Sequence, residues 1–381
     1  MDEAPLKTTS DETCGIGPAK STELKRPFRV LAIDGGGIRG LYTASLLHSI
    51  AAHFEPAATT RYDVGRHFDL IAGTSTGGIL ACGLAARKTT AELVALYQKI
   101  GPGLFIRPQP DGTFKTLVWA MRNLMRAANP SEPLQSALKE IFGHETLGTI
   151  YAKRKVALCL PSCRLHDWTP KVFKTPHRPA DYTRDCDVSL VDACLATSAA
   201  PIFLPVAEIT EAAHLTSKGR FVDGGLWANN PVLIAMLEAI DLCIDEEGKH
   251  LNRPIVILSL GTSGGAPGDE PGSKANRGMA GWKFGGEAAG MSIDVQGTGY
   301  NEMAKRFAGH FRMLGFDIGY ERVKNPHVTA AQAKELKLDR ATPEALNLLL
   351  KLGDKAAQDV QAACREKNPL GEMVTSIFSQ P

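Results

Sequence analysis

The stretch Phe68 to Ala81, FDLIAGTSTGGILA, constrains the fold of this chain more than any other. A short apolar run, Phe68 to Ala72, meets Gly73-Thr74-Ser75-Thr76-Gly77, and small apolar residues continue from Gly78 to Leu84. That order predicts a strand, a sharp turn and a helix, and the turn matches the G-x-S-x-G nucleophile elbow. Gly73 and Gly77 stand two residues either side of Ser75, where a side chain would collide as the strand folds back against the helix. At the tip, Ser75 would expose its hydroxyl at a helix N-terminus, whose free N–H groups and dipole favour negative charge. A Gly/Ser-rich loop without chemistry fits the pentapeptide as well, so the rest of the chain must decide.

A second strand–glycine loop–helix unit precedes the elbow. Phe28 to Ile33 is β-like, Asp34-Gly35-Gly36-Gly37-Ile38-Arg39-Gly40 follows, and Leu41 to Phe54 carries apolar residues at helical spacing. Further on, helices are expected at Thr90–Ile100, Pro133–Phe142, Leu190–Ala199, Asn230–Ile244 and Ile293–Phe307, and from the Thr342-Pro343-Glu344 start to Cys364. Strand-like runs occupy Lys155–Leu160, Lys171–Phe173, Arg220–Val222 and Pro254–Leu260. Residues 101 to 133 read as irregular, broken by a short apolar helix near Leu117 to Met125, and glycine-rich 264–290 reads as a mobile or ligand-dependent loop. Alternating strands and helices imply an α/β fold, three layers with a mostly parallel central sheet flanked by helices. Residues 1–26, polar and of mixed charge, are expected to be a flexible tail, and 27–375 a single domain with a C-terminal helical extension.

Composition enters as a filter. Apolar content of 44% and charged content of 22% suit a globular protein, and a net charge of +2 gives no argument for a nucleic-acid polymer or a strongly anionic surface, so no nucleic-acid partner is expected. Eight scattered cysteines in 381 residues suit reduced thiols better than a disulfide framework. The opening MDEAPLKTTSDETCG lacks an apolar signal core, and no run approaches the ~20 apolar residues of a membrane span. The expectation is a cytoplasmic protein that would act on a membrane from its inner surface.

A serine hydroxyl needs a base. His166, His177, His214 and His327 lie in polar segments and read as surface residues. Asp223 is different: it follows a short strand and precedes two glycines, so it can reach the carboxyl edge of the sheet, where ligands bind in such folds. A turn aspartate in a D-G pair is the ordinary alternative. Burial against Leu226 and Trp227 would raise its pKa and make it a better base. The N–H groups of Gly35, Gly36 and Gly37 are candidate donors for a tetrahedral oxyanion. Gly35, Gly37 and Gly40 also fit the G-x-G-x-x-G of a phosphate loop, and Arg39 suits either a substrate phosphate or a structural ion pair.

DGGGIRG (34–40), GTSTGG (73–78) and DGG (223–225) resemble, in this order, the blocks of the patatin-like phospholipase family, and ATSAAPIFLPV (196–206) and WANNP (227–231) agree. The resemblance covers Val30 to Leu260. It implies Ser75 as nucleophile, Asp223 as base of a dyad without histidine, and an oxyanion hole from the Gly35–Gly37 backbone. The implied activity is acyl hydrolysis of membrane phospholipid through an acyl-enzyme, with no metal and no cofactor. The segment Met291 to Ile318 and the phrase VFKTPH (172–177) are similar to bacterial members switched on by cyclic nucleotides in antiphage defence, which implies a cyclic dinucleotide activator.

Two other classes compete. A sugar-kinase-like phosphotransferase would use both glycine loops for phosphate, although the first lacks the expected Ser or Thr after its glycines. A non-catalytic lipid- or nucleotide-binding protein would not need all three blocks intact. Two smaller features stay open. Cys159-x3-Cys163-x2-His166 is an irregular zinc spacing without a second pair. Phe114 to Met125, apolar residues between Lys115, Arg122 and Arg126, reads either as a membrane-facing helix or as a core helix with a solvated basic edge.

Overall fold

The computed structural model describes residues 26–56, 62–178, 183–209, 219–245, 247–264, 275–276, 278–279, 282 and 286–379. The N-terminal tail and most of the glycine-rich 264–290 segment therefore lie outside the described residues, as does His214. The strands are β1 (Phe28–Ile33), β2 (Leu70–Gly73), β3 (Ala157–Arg164), β4 (Thr169–Lys174), β5 (Ala207–Ile209), β6 (Gly219–Asp223), β7 (Ile255–Leu260) and β8 (Ile318–Arg322). Among the described residues they join one sheet in the order β5-β6-β3-β2-β1-β7-β8, with β4 beside β3. The run β3-β2-β1-β7-β8 is parallel, whereas β4 and β6 pair antiparallel with β3, and β5 with β6.

The first helices in chain order are α1 (Gly40–Phe54), α2 (Thr76–Ala85), α3 (Thr90–Leu104), α4 (Thr113–Arg122), α5 (Glu132–Phe142), α6 (Leu147–Arg154) and α7 (Leu190–Ser198). The later ones are α8 (Gly225–Ala228), α9 (Val232–Cys243), α10 (Gly286–Met313), α11 (Ala330–Glu335), α12 (Pro343–Glu366) and α13 (Pro369–Phe378). β1, FRVLAI, is buried at every position because it sits mid-sheet with helices on both faces. Its alternation divides the core: Leu31 and Ile33 join the cluster made with α1, α2, α12 and α13, while Val30 and Ala32 join the one made with α9 and α10. Each large side chain so buried contributes roughly 1.5–3 kcal/mol.

The three-layer expectation holds, with local differences. α10 is longer than the expected Ile293–Phe307, starting at Gly286 and ending at Met313. Burial of Ala304 and Ala308 in the second cluster outweighs the ~1 kcal/mol that each interior glycine costs. The helix expected near Leu117–Met125 lies at Thr113–Arg122. β5 and β8 are polar sheet-edge strands with no apolar signature, and sequence patterning missed them.

Candidate active site

The elbow is built as its glycines require. Ser75 lies between β2 and α2 at φ 55°, ψ −127°, a left-handed conformation that non-glycine residues rarely adopt. A Cβ on Gly73 would meet the Gly77 carbonyl oxygen at 2.2 Å, and one on Gly77 would meet the Asp34 carbonyl oxygen at 2.5 Å. Neither obstacle is a side chain that could swing aside. The Ser75 N–H donates to Thr197 Oγ1 at 3.0 Å, which ties the turn to the end of α7.

Register brings the carboxylate to this point. Leu70 of β2 pairs with Ala157 of β3; carried on at the same offset, Ser75 falls level with Ser162, the residue that Asp223 of β6 opposes. Ser75 Oγ donates to Asp223 Oδ2 at 2.6 Å, and both residues are 7% exposed. The second oxygen, Oδ1, accepts from the Gly225 N–H at 2.7 Å, and the Asp223 N–H donates to the Ala199 carbonyl at 3.0 Å. Burial pushes the Asp223 pKa up to about 6, against the pull of the Ser75 hydroxyl and the Gly225 N–H. Leu226 is exposed, and Trp227 is half-buried and donates from Nε1 to the Ser162 carbonyl at 2.9 Å.

The glycine loop lies against the elbow. A Cβ on Gly35 would come within 3.1 Å of Ser75 Cβ and 2.5 Å of Asn229 Oδ1. The Gly35 N–H donates to the Asn229 carbonyl at 2.9 Å, so it is engaged within the protein. The N–H groups of Gly36 and Gly37 find no acceptor among the described residues. Gly37 is left-handed at φ 57°, and Gly36 packs where a Cβ would strike Thr262 Oγ1 at 2.4 Å. Arg39 is buried and does not face open solvent: its NH1 donates to the Gly264 carbonyl, and its Nε donates to the Gly36 carbonyl at 3.4 Å. Burial lowers its pKa, against the charges of Asp294 and Asp34. With the Gly36 carbonyl turned toward Arg39, the trans peptide directs the Gly37 N–H the other way.

Sequence reasoning missed Arg322. Its guanidinium grips Asp34 through both terminal nitrogens, NH1 to Oδ1 at 3.1 Å, and NH1 also donates to Ser259 Oγ at 2.6 Å. An arginine in the polar edge strand β8 gives no local sign of a partner 288 residues away.

No described histidine contacts Ser75 or Asp223 through a hydrogen bond. His166 and His327 are exposed as expected, but His177 is buried, with Nδ1 2.7 Å from Thr175 Oγ1 and Nε2 3.0 Å from Glu238 Oε1. The Cys159–Cys163–His166 spacing does not converge on a site, since Cys163 donates to the Asp223 carbonyl at 3.4 Å and His166 is exposed. Cys159 instead stands with His177 and Glu238, their donor atoms within 4.8 Å of one another. The cluster suits a metal poorly. Burial, which raises the pKa of Glu238, is overcome by His177, Lys174 and Arg178, and the carboxylate is held at about 2. Burial also pushes the Cys159 thiol far above its ordinary range, so it stays protonated.

A serine at a strained strand–helix turn, hydrogen-bonded to a buried carboxylate on a three-layer α/β fold, is the arrangement of a serine acyl hydrolase. Residues 31–236 match the model of the family described as patatin-like phospholipase. The chain is 32% identical over 355 residues to the cGAMP-activated phospholipase of Vibrio cholerae serotype O1, covering 90% of this chain and 94% of that one. The proteins of the same name in Escherichia coli and Pseudomonas aeruginosa are 37% and 30% identical, covering 63% and 87% of this chain and 63% and 88% of their own lengths. The chain belongs to the patatin-like phospholipase family and is a lipid acyl hydrolase.

Proposed function

We propose that this enzyme releases fatty acids from membrane glycerophospholipids through a Ser75–Asp223 dyad, and that a cyclic nucleotide switches it on. The observation that carries the dyad is the 2.6 Å contact from Ser75 Oγ to Asp223 Oδ2. Asp223 takes the hydroxyl proton as Oγ attacks the ester carbonyl carbon. The resulting oxyanion is met by the N–H groups of Gly36 and Gly37 and by the N-terminus of α2. The C–O bond of the ester breaks, the lysophospholipid oxygen takes the proton from Asp223, and the acyl group stays on Ser75. Asp223 then takes a proton from water, whose oxygen attacks the acyl-enzyme; the bond from the acyl carbon to Ser75 Oγ breaks, Asp223 returns the proton to Oγ, and the fatty acid leaves with the dyad restored.

Three relatives named cGAMP-activated phospholipases support the activator. A role in antiphage defence, acting from the inner face of a bacterial membrane, is part of the proposal. No described helix is long and apolar enough to cross a membrane, so access to lipid would come from a surface. The phosphotransferase alternative loses its footing because the Gly35 N–H and the Arg39 guanidinium are both engaged within the protein.

The test is fatty-acid release by purified protein and its variants, with fluorophosphonate labelling alongside. Ser75→Ala is expected to lose both labelling and release, and Asp223→Asn to lose release by a factor of a hundred or more with the fold intact. Release retained by Ser75→Ala overturns the mechanism.

A further inference from the structure

One surface is left unexplained by the dyad. α4 presents Phe114 and Met121 to solvent at 76% and 67% exposure, and Leu124 and Met125 just beyond its end at 78% and 91%. Phe114, Leu117 and Met121 fall at i, i+3 and i+7, one stripe of the helix. Lys115 and Arg122 form the adjacent stripe. With Arg107 and Arg126 they line a cleft of 750 Å³ against Phe114 and Trp119. Among the described residues none of these four cations has a carboxylate within ion-pair distance.

The segment is fastened at both ends beside the dyad. On one side the Gln109 N–H donates to Asp339 Oδ2, and the neighbouring Leu338 carbonyl accepts from the Ile38 N–H of the glycine loop at 2.9 Å. On the other, the N–H groups of Ala128 and Asn129 donate to the Ile202 and Phe203 carbonyls at 2.8 and 2.9 Å. Ile202, itself exposed, is three residues from Ala199, whose carbonyl accepts from the Asp223 N–H; three residues span at most about 11 Å. The Trp119 ring anchors the inner face of the helix 6.0 Å from Phe203. A helix with one apolar stripe, cations flanking it and its ends tied to the two sides of the site is placed to hold the cleft against a lipid surface.

We infer that α4 and the residues to Arg126 form an interfacial docking surface for an anionic bilayer, seating Phe114, Met121, Leu124 and Met125 among the acyl chains and Arg107, Lys115, Arg122 and Arg126 on lipid phosphates. Charge complementarity selects this occupant. A second copy of the chain would bring eight unpaired cations against one another in a low-dielectric interface, whereas anionic headgroups neutralise them. The inference rests on the lipid-hydrolase reading of the dyad, and the experiment separates the two.

Vesicle co-sedimentation is measured on full-length protein carrying Ser75→Ala, which leaves the lipid intact, with vesicles of phosphatidylglycerol and phosphatidylethanolamine and with phosphatidylcholine alone. Binding is expected on the anionic vesicles, to weaken with salt, and to fall tenfold or more in Met121→Glu/Met125→Glu and in Arg122→Glu/Arg126→Glu. In the Ser75 background, the same pairs should lose vesicle hydrolysis while cleavage of a monomeric short-chain ester, assayed with cGAMP present, stays at the parent rate. Unchanged binding in both pairs, equal binding to neutral vesicles, or a shift in oligomeric state with vesicle binding unaltered overturns the inference. Absence of any ester cleavage by the parent overturns the proposed function, while co-sedimentation still reads the surface.

Discussion

At the scale of single residues, the chemistry hangs on one carboxylate. Burial lifts Asp223 to about 6, from an ordinary 3.8. As a base it must be unprotonated, so kcat/KM for a monomeric ester is expected to rise with pH around an apparent pKa of about 6 and to level off above pH 7. A profile flat from pH 5 to 8 would rule out Asp223 as the titrating base. Stability runs the other way. A raised folded-state pKa means that the folded chain binds this proton more tightly than the unfolded one. The contribution is therefore full below the unfolded value near 3.8 and is lost as pH rises through about 6. Asp223→Asn, which never ionises, should thus be more stable than the parent at pH 8, by up to about 3 kcal/mol, and little different at pH 3, below both values. Thermal unfolding at the two pH values reads this directly. A residue that lowers activity when replaced and raises stability is one held in place against its own preference.

At the scale of elements, the strand–turn–helix junction tolerates no addition, whereas the long α10 does. A methyl group at Gly77 would press on the Asp34 and Ile33 carbonyls at 2.5 and 2.6 Å, and backbone cannot rotate away. Gly77→Ala should therefore destabilise by about 2 kcal/mol or more and reduce fluorophosphonate labelling of Ser75. A methyl group at Gly299 of α10 would meet nothing within 4 Å. Gly299→Ala should stabilise by roughly 0.5–1 kcal/mol, because the unfolded chain loses freedom and the helix loses nothing. Denaturant unfolding of the two variants should give opposite signs. The elbow was legible in the sequence because a turn of that shape demands glycine on both sides of the serine. The full length of α10 was not, because its glycines argue against a helix locally and only packing on β8 and α9 overrides them.

At the scale of the whole molecule, an activator must bind one state of the enzyme more tightly than another, or it shifts nothing. Fatty-acid release by the purified protein is expected to be low alone and to rise at least tenfold with cGAMP, with smaller effects from other cyclic nucleotides. Equal rates across such a panel and in its absence would remove the activator from the proposal. The expected moving part, 264–290, lies mostly outside the described residues, but its borders are near the site: Arg39 donates to the Gly264 carbonyl, and Gln296 of α10 accepts from the Asn229 N–H at 2.8 Å.

The sequence by itself determined which residues can do the chemistry. Glycines on both sides of Ser75, an aspartate between a short strand and two more glycines, and an earlier glycine loop are local requirements of backbone geometry, and local requirements are written in adjacent residues. Tertiary structure decided the rest. Ser75 and Asp223 are 148 positions apart and meet only because β6 pairs antiparallel with β3 at the level where β2 ends. The same folding engages the Gly35 N–H with Asn229, turns Arg39 inward to brace the glycine loop, buries His177 with Glu238 and matches Asp34 to Arg322. Partners of polar groups are chosen by what the sheet and helices bring within hydrogen-bonding distance, a property of the assembled layers and of no single segment.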